Sequence, residues 1–378
     1  QDGIVKTNTY DRYTAHLQND YQLAKFLKVG VTLAGSWNKS KDIDGSIFHQ
    51  MYSAAPNVPV FYADGTYGDP NDFKVGSSNQ FNPQVTIDFY DNKTQAYRLN
   101  GNAYADLKFA RYFTFHTSAG GDFIQTQIGN YAPVYVATIA QRNTVSKLTA
   151  IRNENRNWIL ENTLTYDRKI NDHSIKVLVG QGAQQYKYYG ITAAVQNVPP
   201  GDGNQYLSLG TANTANVTDR GSLDRVSSYF GRVNYSFADR YMITAAIRAD
   251  GSSKFSETNR WGYFPSVGLG WVISKEAFMQ NQNLFNNLKL RGSWGKIGNM
   301  SVPANLSVLT VTQTPGFIYV GGDGSTATGA SINTVVPPTT YWERGVGTDI
   351  GLEASLLNNK LYAEADWYNK KTEKAIFD

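Results

Sequence analysis

No cysteine occurs in the 378 residues, which excludes disulfide bonds and thiolate metal sites. No window holds the roughly 18 consecutive apolar residues of a membrane-crossing helix, so any passage through a bilayer must be made by strands. Neither charge sign dominates: 35 Lys and Arg against 31 Asp and Glu leave +4, too little over this length to argue for a nucleic-acid partner. Histidine is scarce, and His16, His49, His116 and His173 lie scattered without metal-ligand spacing. What is plentiful is glycine (34) and tyrosine (25), with 13% aromatic residues and little helical periodicity. That composition points to an all-β protein.

Six segments alternate apolar and polar residues with period two. Leu27, Val29, Val31, Leu33 and Trp37 oppose Lys28, Thr32 and Ser36; Ala103, Ala105, Leu107 and Phe109 oppose Asn102, Asp106 and Lys108. Tyr229, Val233, Tyr235 and Phe237 oppose Arg232, Asn234 and Ser236, and Tyr241, Ile243, Ala245 and Ile247 oppose Thr244 and Arg248. Leu288, Leu290 and Trp294 oppose Lys289, Arg291 and Ser293, and Leu361, Ala363, Ala365 and Trp367 oppose Glu364 and Asp366. Every Lys, Arg, Asp and Glu in the six falls on the polar side. Alternation alone fits both a membrane barrel and a sandwich with one wet face. A charge facing lipid at the midplane costs about 2–4 kcal/mol, so a barrel must keep one parity free of charge. On a barrel, Arg232, Asn234, Arg248, Arg291, Glu364 and Asp366 face the lumen.

The connections alternate as well. Short polar turns are expected at 24–25, 110, 170–172, 238–240 and 358–359, with long Gly-, Asn- and Pro-rich stretches at about 39–92, 128–145, 194–221 and 298–342. With strands running up and down, the short turns share one rim and the long loops the other, as in outer-membrane barrels. The segment 274–287, SKEAFMQNQNLFNN, falls on the short-turn rim and reads as a brief helix. Twelve strands are expected: 10–23, 26–38, 93–109, 111–127, 146–168, 172–193, 222–238, 241–250, 262–273, 288–297, 343–357 and 360–373. Several exceed the roughly 9–11 residues that a tilted strand needs to cross a bilayer, so their surplus should stand above it as a β wall.

The stretch RADGSSKFSETNRWGYFPSVGLGWVISKEAF (248–278) resembles a hallmark of the SusC/RagA family of TonB-dependent outer-membrane transporters. So do YFGRVNYSFADRYMITAAIRADGSSKF (229–255), LKLRGSWGKIGN (288–299), YWERGVGTDIGLEASLLNNKLYAEADWYNKKTEKAI (341–376) and, more weakly, DRYTAHLQNDYQLAKFLKVGVTLAGSWNKS (11–40). The resemblance implies a transmembrane antiparallel β-barrel of about 22 strands, of which this chain is about half. It also implies an N-terminal plug and closing C-terminal strands outside residues 1–378, the chain being an excerpt. It further implies a bacterial outer-membrane importer of bulky nutrients, oligosaccharides or peptides. That importer would work with a SusD-like surface lipoprotein and be energised by TonB–ExbB–ExbD. A passive outer-membrane porin and a soluble β-rich carbohydrate-binding protein are the alternatives.

No enzymatic constellation emerges. Gly292-Ser-Trp-Gly295-Lys296 lacks phosphate-loop spacing, and Asp42-Ile-Asp44-Gly45 lacks the later ligands of a calcium loop. No cofactor or metal is expected. The substrate-contact candidates are aromatic residues of the long loops: Tyr52, Phe61, Tyr62, Tyr67, Tyr206, Phe317, Tyr319, Tyr341 and Trp342. Their ring faces suit sugars or apolar peptide side chains.

Overall fold

The computed structural model describes residues 3–73, 81–201, 205–302, 311–320, 322–332 and 341–375. Twelve strands form one antiparallel sheet, each paired with its neighbours in sequence. They are β1 (Thr9–Ala24), β2 (Leu27–Asp42), β3 (Asp91–Phe109), β4 (Phe113–Ala132), β5 (Lys147–Ile170) and β6 (His173–Gln196). The meander continues through β7 (Asn216–Phe237), β8 (Tyr241–Ser252), β9 (Trp261–Val272), β10 (Phe285–Asn299), β11 (Glu343–Leu356) and β12 (Leu361–Glu373). The period-two segments thus occupy the strands expected for them. β7, however, begins six residues before 222. The connection 298–342, read as a loop, contains a hairpin of Val311–Val320 with Thr326–Ile332. The segment 274–287 carries two 3-10 turns, Ile273–Lys275 and Ala277–Met279.

Register settles which side chains share a face. On β2, Leu27, Val29, Val31, Leu33 and Trp37 stand beside Leu107, Ala105, Ala103, Gly101 and Tyr97 of β3. On β8, Tyr241, Ile243, Ala245 and Ile247 stand beside Trp271, Leu269, Val267 and Pro265 of β9. This face is open: Leu33, Val233, Ile243, Leu290 and Trp367 are all exposed, and Ala365 with them. Among the described residues the other two sheets are hairpins of two strands each, too small to cover it. A soluble sandwich would bury these side chains, whereas a barrel presents them to lipid.

The height of the band agrees. From Leu27 to Trp37, at about 3.4 Å per residue and a tilt of about 45°, the rise is about 24 Å, against about 25 Å for an outer-membrane apolar band. Beyond Trp37 the same parity turns to Lys39 and Lys41. Aromatic pairs mark both edges: Tyr13 stacks on Trp37 at one, and Phe109 on Phe113 at the other.

Turns on the short rim use left-handed backbone at Ala110, Arg111, Asn171, Ala238, Asp239, Asn358 and Asn359, which tight hairpin connections demand. Fully buried apolar side chains are few, and most lie under the long connections. One cluster joins Tyr131, Leu148, Val195 and Val198; another joins Phe255, Phe264, Val302 and Trp342. β5 and β6 have 24 residues each, but β8 and β9 only 12, so the wall stands tall on one side and low on the other.

Candidate functional site: outer cap and lumen wall

The connection between β2 and β3 folds into a cap. It contains α1 (Ile47–Ser53) and α2 (Pro83–Phe89). Local chemistry explains α2: Asn82 caps it by accepting from the Gln84 amide, and Pro83 occupies its first turn. The Asn82 side chain also donates to the carbonyls of Val60 and Gly68 at 2.9 and 3.0 Å. Gln141, from the β4–β5 connection, accepts from the Asn82 backbone N–H at 2.6 Å and donates back to the Asn82 carbonyl at 3.1 Å. Both side chains are buried. Asp69, also buried, accepts the Ile139 amide at 2.7 Å. Two long connections are thereby latched into one unit.

The latch gives a direct prediction. Asn82→Ala leaves the Gly68 carbonyl without its donor, the Val60 carbonyl with only the Gly68 amide, and the helix without its cap, at a cost of about 1–3 kcal/mol of local stability. Hydrogen exchange should quicken in 60–68 and 139–141 while the β3–β4 ladder stays protected. Uniform loss across that ladder would show that Asn82 supports the wall instead.

Within the cap, rings run in series. Phe61 lies 5.1 Å from Tyr67, Tyr67 lies 6.0 Å from Phe89, and Phe89 stacks on Tyr135 at 4.1 Å. The Tyr67 hydroxyl donates to Asp88 at 2.9 Å, and the Tyr62 hydroxyl donates to Asp72 at 2.6 Å. Beside this ladder a cavity of about 500 Å³ opens between the cap and the wall, lined by Asp44, Phe89, Tyr135, Arg142, Asn143 and Lys147 among others. Aromatic faces with converging charged and amide groups suit a polar ligand that carries some apolar surface.

Burial, reinforced by the bond to Asp88, pushes the Tyr67 phenol from its ordinary 10.0 up to about 12. The folded cap therefore holds this proton where an unfolded chain loses it. Its stabilisation is whole below pH 10 and is lost as pH rises toward 12. Subtracting the alkaline absorbance titration of Tyr67→Phe from that of the native protein should isolate one phenol ionising near 12. A difference curve centred near 10 would contradict the Asp88 contact.

The aromatic residues singled out in the sequence separate into distinct settings. Phe61, Tyr62 and Tyr67 are brought together in the cap; Tyr52 projects from α1, 93% exposed; Tyr206 stands exposed ahead of a 3-10 turn. Tyr341 is exposed, with Lys374 over its ring at 4.1 Å. Trp342 differs from expectation: it is 4% exposed, packed against Phe255 and Phe264, and its indole N–H donates to the Arg260 carbonyl. It is a core residue, because Gly262 leaves room beside its ring. The backbones of Phe317 and Tyr319 lie in the 311–332 hairpin, and their side chains are outside the described residues. Phe89, Tyr135, Asn82 and Gln141 were not singled out, although Asn82-Pro83 carries a readable helix-start signal.

The polar face carries two networks. Arg248 donates to Asp250 at 2.8 Å and to Ser228 at 2.9 Å, and its guanidinium lies 5.3 Å from the Phe230 ring centroid. Arg232 is exposed beside it, and Asn234 accepts from Thr244 at 3.0 Å. Phe230, Arg232, Arg248 and Asp250 border a hollow of about 530 Å³. Farther along, Arg291 meets four carboxylates: Asp349 at 3.0 Å, Glu353 at 2.9 Å, Glu364 at 2.6 Å and Asp366 at 2.7 Å. Arg291 thus holds both Glu364 and Asp366 from within this chain. Gly351 makes this possible, since a Cβ there would sit 2.2 Å from the Asp366 carboxylate and 2.8 Å from the Arg291 guanidinium carbon. On β5, Asn153, Asn155 and Asn157 share the lumen parity with Tyr186 and Tyr188 of β6, giving a bank of amides and phenols above the apolar band.

A single tall meander with a greasy outer band, aromatic edges and a polar inner face defines an outer-membrane β-barrel wall. The chain belongs to the TonB dependent receptor-like, beta-barrel family, whose model matches residues 36–378. TonB-dependent receptor P26 of Formosa agariphila is 30% identical over 389 residues, covering 100% of this chain and 38% of that protein. TonB-dependent receptor SusC of Bacteroides thetaiotaomicron is 24% identical over 395 residues, covering 99% of this chain and 39% of its own length. The chain thus spans about two fifths of the length of these relatives. A structure of the RagAB peptide transporter superposes with a TM-score of 0.78 at 23% identity, over 97% of this chain and 40% of that one. The ferric-catecholate import receptor Fiu of E. coli gives 0.55 at 10% identity, a likeness of fold alone.

Proposed function

We propose that the protein carrying this chain is a TonB-dependent importer of bulky polar nutrients, oligosaccharides or peptides. The observation that carries this is the pairing of an inner wall of charged and amide side chains with a latched, aromatic-lined cap at its outer end. An importer of small ions would need neither the amide bank on β5 nor a roofed hollow of this size. The family supplies the remaining parts as proposals: a plug filling the bore, a SusD-like surface lipoprotein that captures ligand, and TonB–ExbB–ExbD to pull the plug. Energy then comes from the inner membrane, which is why no nucleotide site or catalytic group is assigned to the wall. The loop rings Tyr52, Phe61, Tyr62, Tyr67, Tyr206, Phe317, Tyr319 and Tyr341 remain candidates to touch substrate or lipoprotein.

A strain lacking the gene should fail to grow on one defined class of glycan or peptide as sole nutrient, and the intact gene should restore growth. Normal growth of the deletion strain on every glycan and peptide tested would remove the import reading.

A further inference from the structure

We propose that the short-turn rim carries a binding site for an anionic phospholipid, formed by Arg111 and Arg168 on either side of the Tyr112 ring. The Arg168 guanidinium lies 4.7 Å from the Tyr112 ring centroid and that of Arg111 lies 5.5 Å from it. Arg168 is on the membrane side, and Arg111 lies with it against the same ring. Arg168 has the parity of Leu164 and Tyr166, which pair across the sheet with Phe115 and Phe113 of the apolar band. One alternation beyond Tyr166 along a tilted strand places Arg168 about 5 Å outside the aromatic edge, at headgroup depth.

Its neighbours sharpen the assignment. Several cations on or near this rim are answered by carboxylates, among them Arg240 by Glu276, Lys169 by Asp239 and Lys176 by Asp167. Among the described residues, no carboxylate lies within ion-pair distance of Arg111 or Arg168; the groups against them are the rings of Tyr112 and Tyr166. Two guanidiniums free of carboxylates, of which Arg168 also hydrogen-bonds Tyr166 and Tyr112, keep further donors that match the oxygens of a phosphodiester. Arg111 is held in left-handed backbone, φ 63°, by the Phe109–Phe113 hairpin, so its side chain is presented from a fixed turn. Phe113 and Tyr166, 5.0 Å apart, then Phe115 and Leu164 above them, offer the acyl chains a continuous apolar track. The occupant is thus a lipid with a net-negative phosphate headgroup, not a soluble anion.

Native mass spectrometry of the intact receptor, released from nanodiscs of equal phosphatidylglycerol and phosphatidylcholine, tests this. The native protein should retain phosphatidylglycerol in preference. Arg111→Ala with Arg168→Ala should lower that preference about tenfold or more. Lys176→Ala, a cation paired on the lumen parity, should leave it unchanged. Should the double variant fold poorly, the native protein still decides the matter: no enrichment of phosphatidylglycerol overturns the site. Displacement of the retained lipid by millimolar inorganic phosphate would also overturn it, by reducing the site to one for a free anion.

Discussion

Leu33→Arg should cost about 2–4 kcal/mol of folding stability in a bilayer, whereas Thr32→Arg, one residue away, should change it by less than about 1 kcal/mol. Leu33 is 43% exposed in the middle of the apolar band, paired across the sheet with Leu17 and Gly101. Its side chain lies over the bare Gly101, where a Cβ would come within 2.8 Å of it. A guanidinium there faces hydrocarbon with no partner and only a long reach to either interface. Thr32 lies between Gln18 and Asn102 on the polar face, where an added cation stays hydrated. Urea titration of the intact receptor refolded into vesicles separates the two. Equal penalties would mean that both faces of β2 are dry, and the barrel assignment would fall.

Trp342→Ala should remove about 3–5 kcal/mol from the packing that ties the 253–260 connection to the head of β11. The ring sits 4.8 Å from Phe255 and 5.4 Å from Phe264, with Val302 in the same cluster, so its loss opens a void that backbone pairing cannot fill. Tyr341→Ala, beside it but exposed, forfeits mainly the contact with Lys374 and should cost about 0.5–1 kcal/mol. Protease nicking confined to 253–260 and 300–302 in the Trp342 variant, with the twelve-strand ladder intact, is the expected readout. If Tyr341→Ala loosens those segments equally, the cluster is not what holds them.

The wall was legible in the sequence because its signal is local and repeated. Lys28, Asp106, Arg232, Arg248, Arg291, Glu364 and Asp366 all keep to one parity, and a one-residue slip would turn every one of them toward lipid. The cap was not legible, since its contacts are set by residues far apart: Phe89 meets Tyr135, and Asn82 meets Gln141, only after the strands between them have paired. Trp342 misled because an aromatic residue in a glycine-rich stretch resembles a loop ring. Its burial depends on Phe255 and on Gly262, which leaves space beside it. The Arg291 network needed register as well, for nothing in LKLRGSW shows that Gly351 lies opposite Arg291 and clears a path to Asp366. In the hairpin 311–332, Pro315 and Gly316 break the alternation that would have betrayed it.

The order of the meander bears on how the wall is assembled. Each strand finds its partner in the segment made just before it, so a growing edge accepts one hairpin at a time and nothing has to be threaded past a strand already seated. Two joins are entropically slower than the rest, those spanning 43–90 and 300–342, though each doubling of a loop adds only about 0.6 kcal/mol to its closure. Within the first of these, Asn82 ties the start of α2 back to Val60 and Gly68, which shortens the free span between β2 and β3. The local bonds of Asn82 to Val60 and Gly68, which need no later strand, thus act as a splint that keeps the third strand near the edge awaiting it.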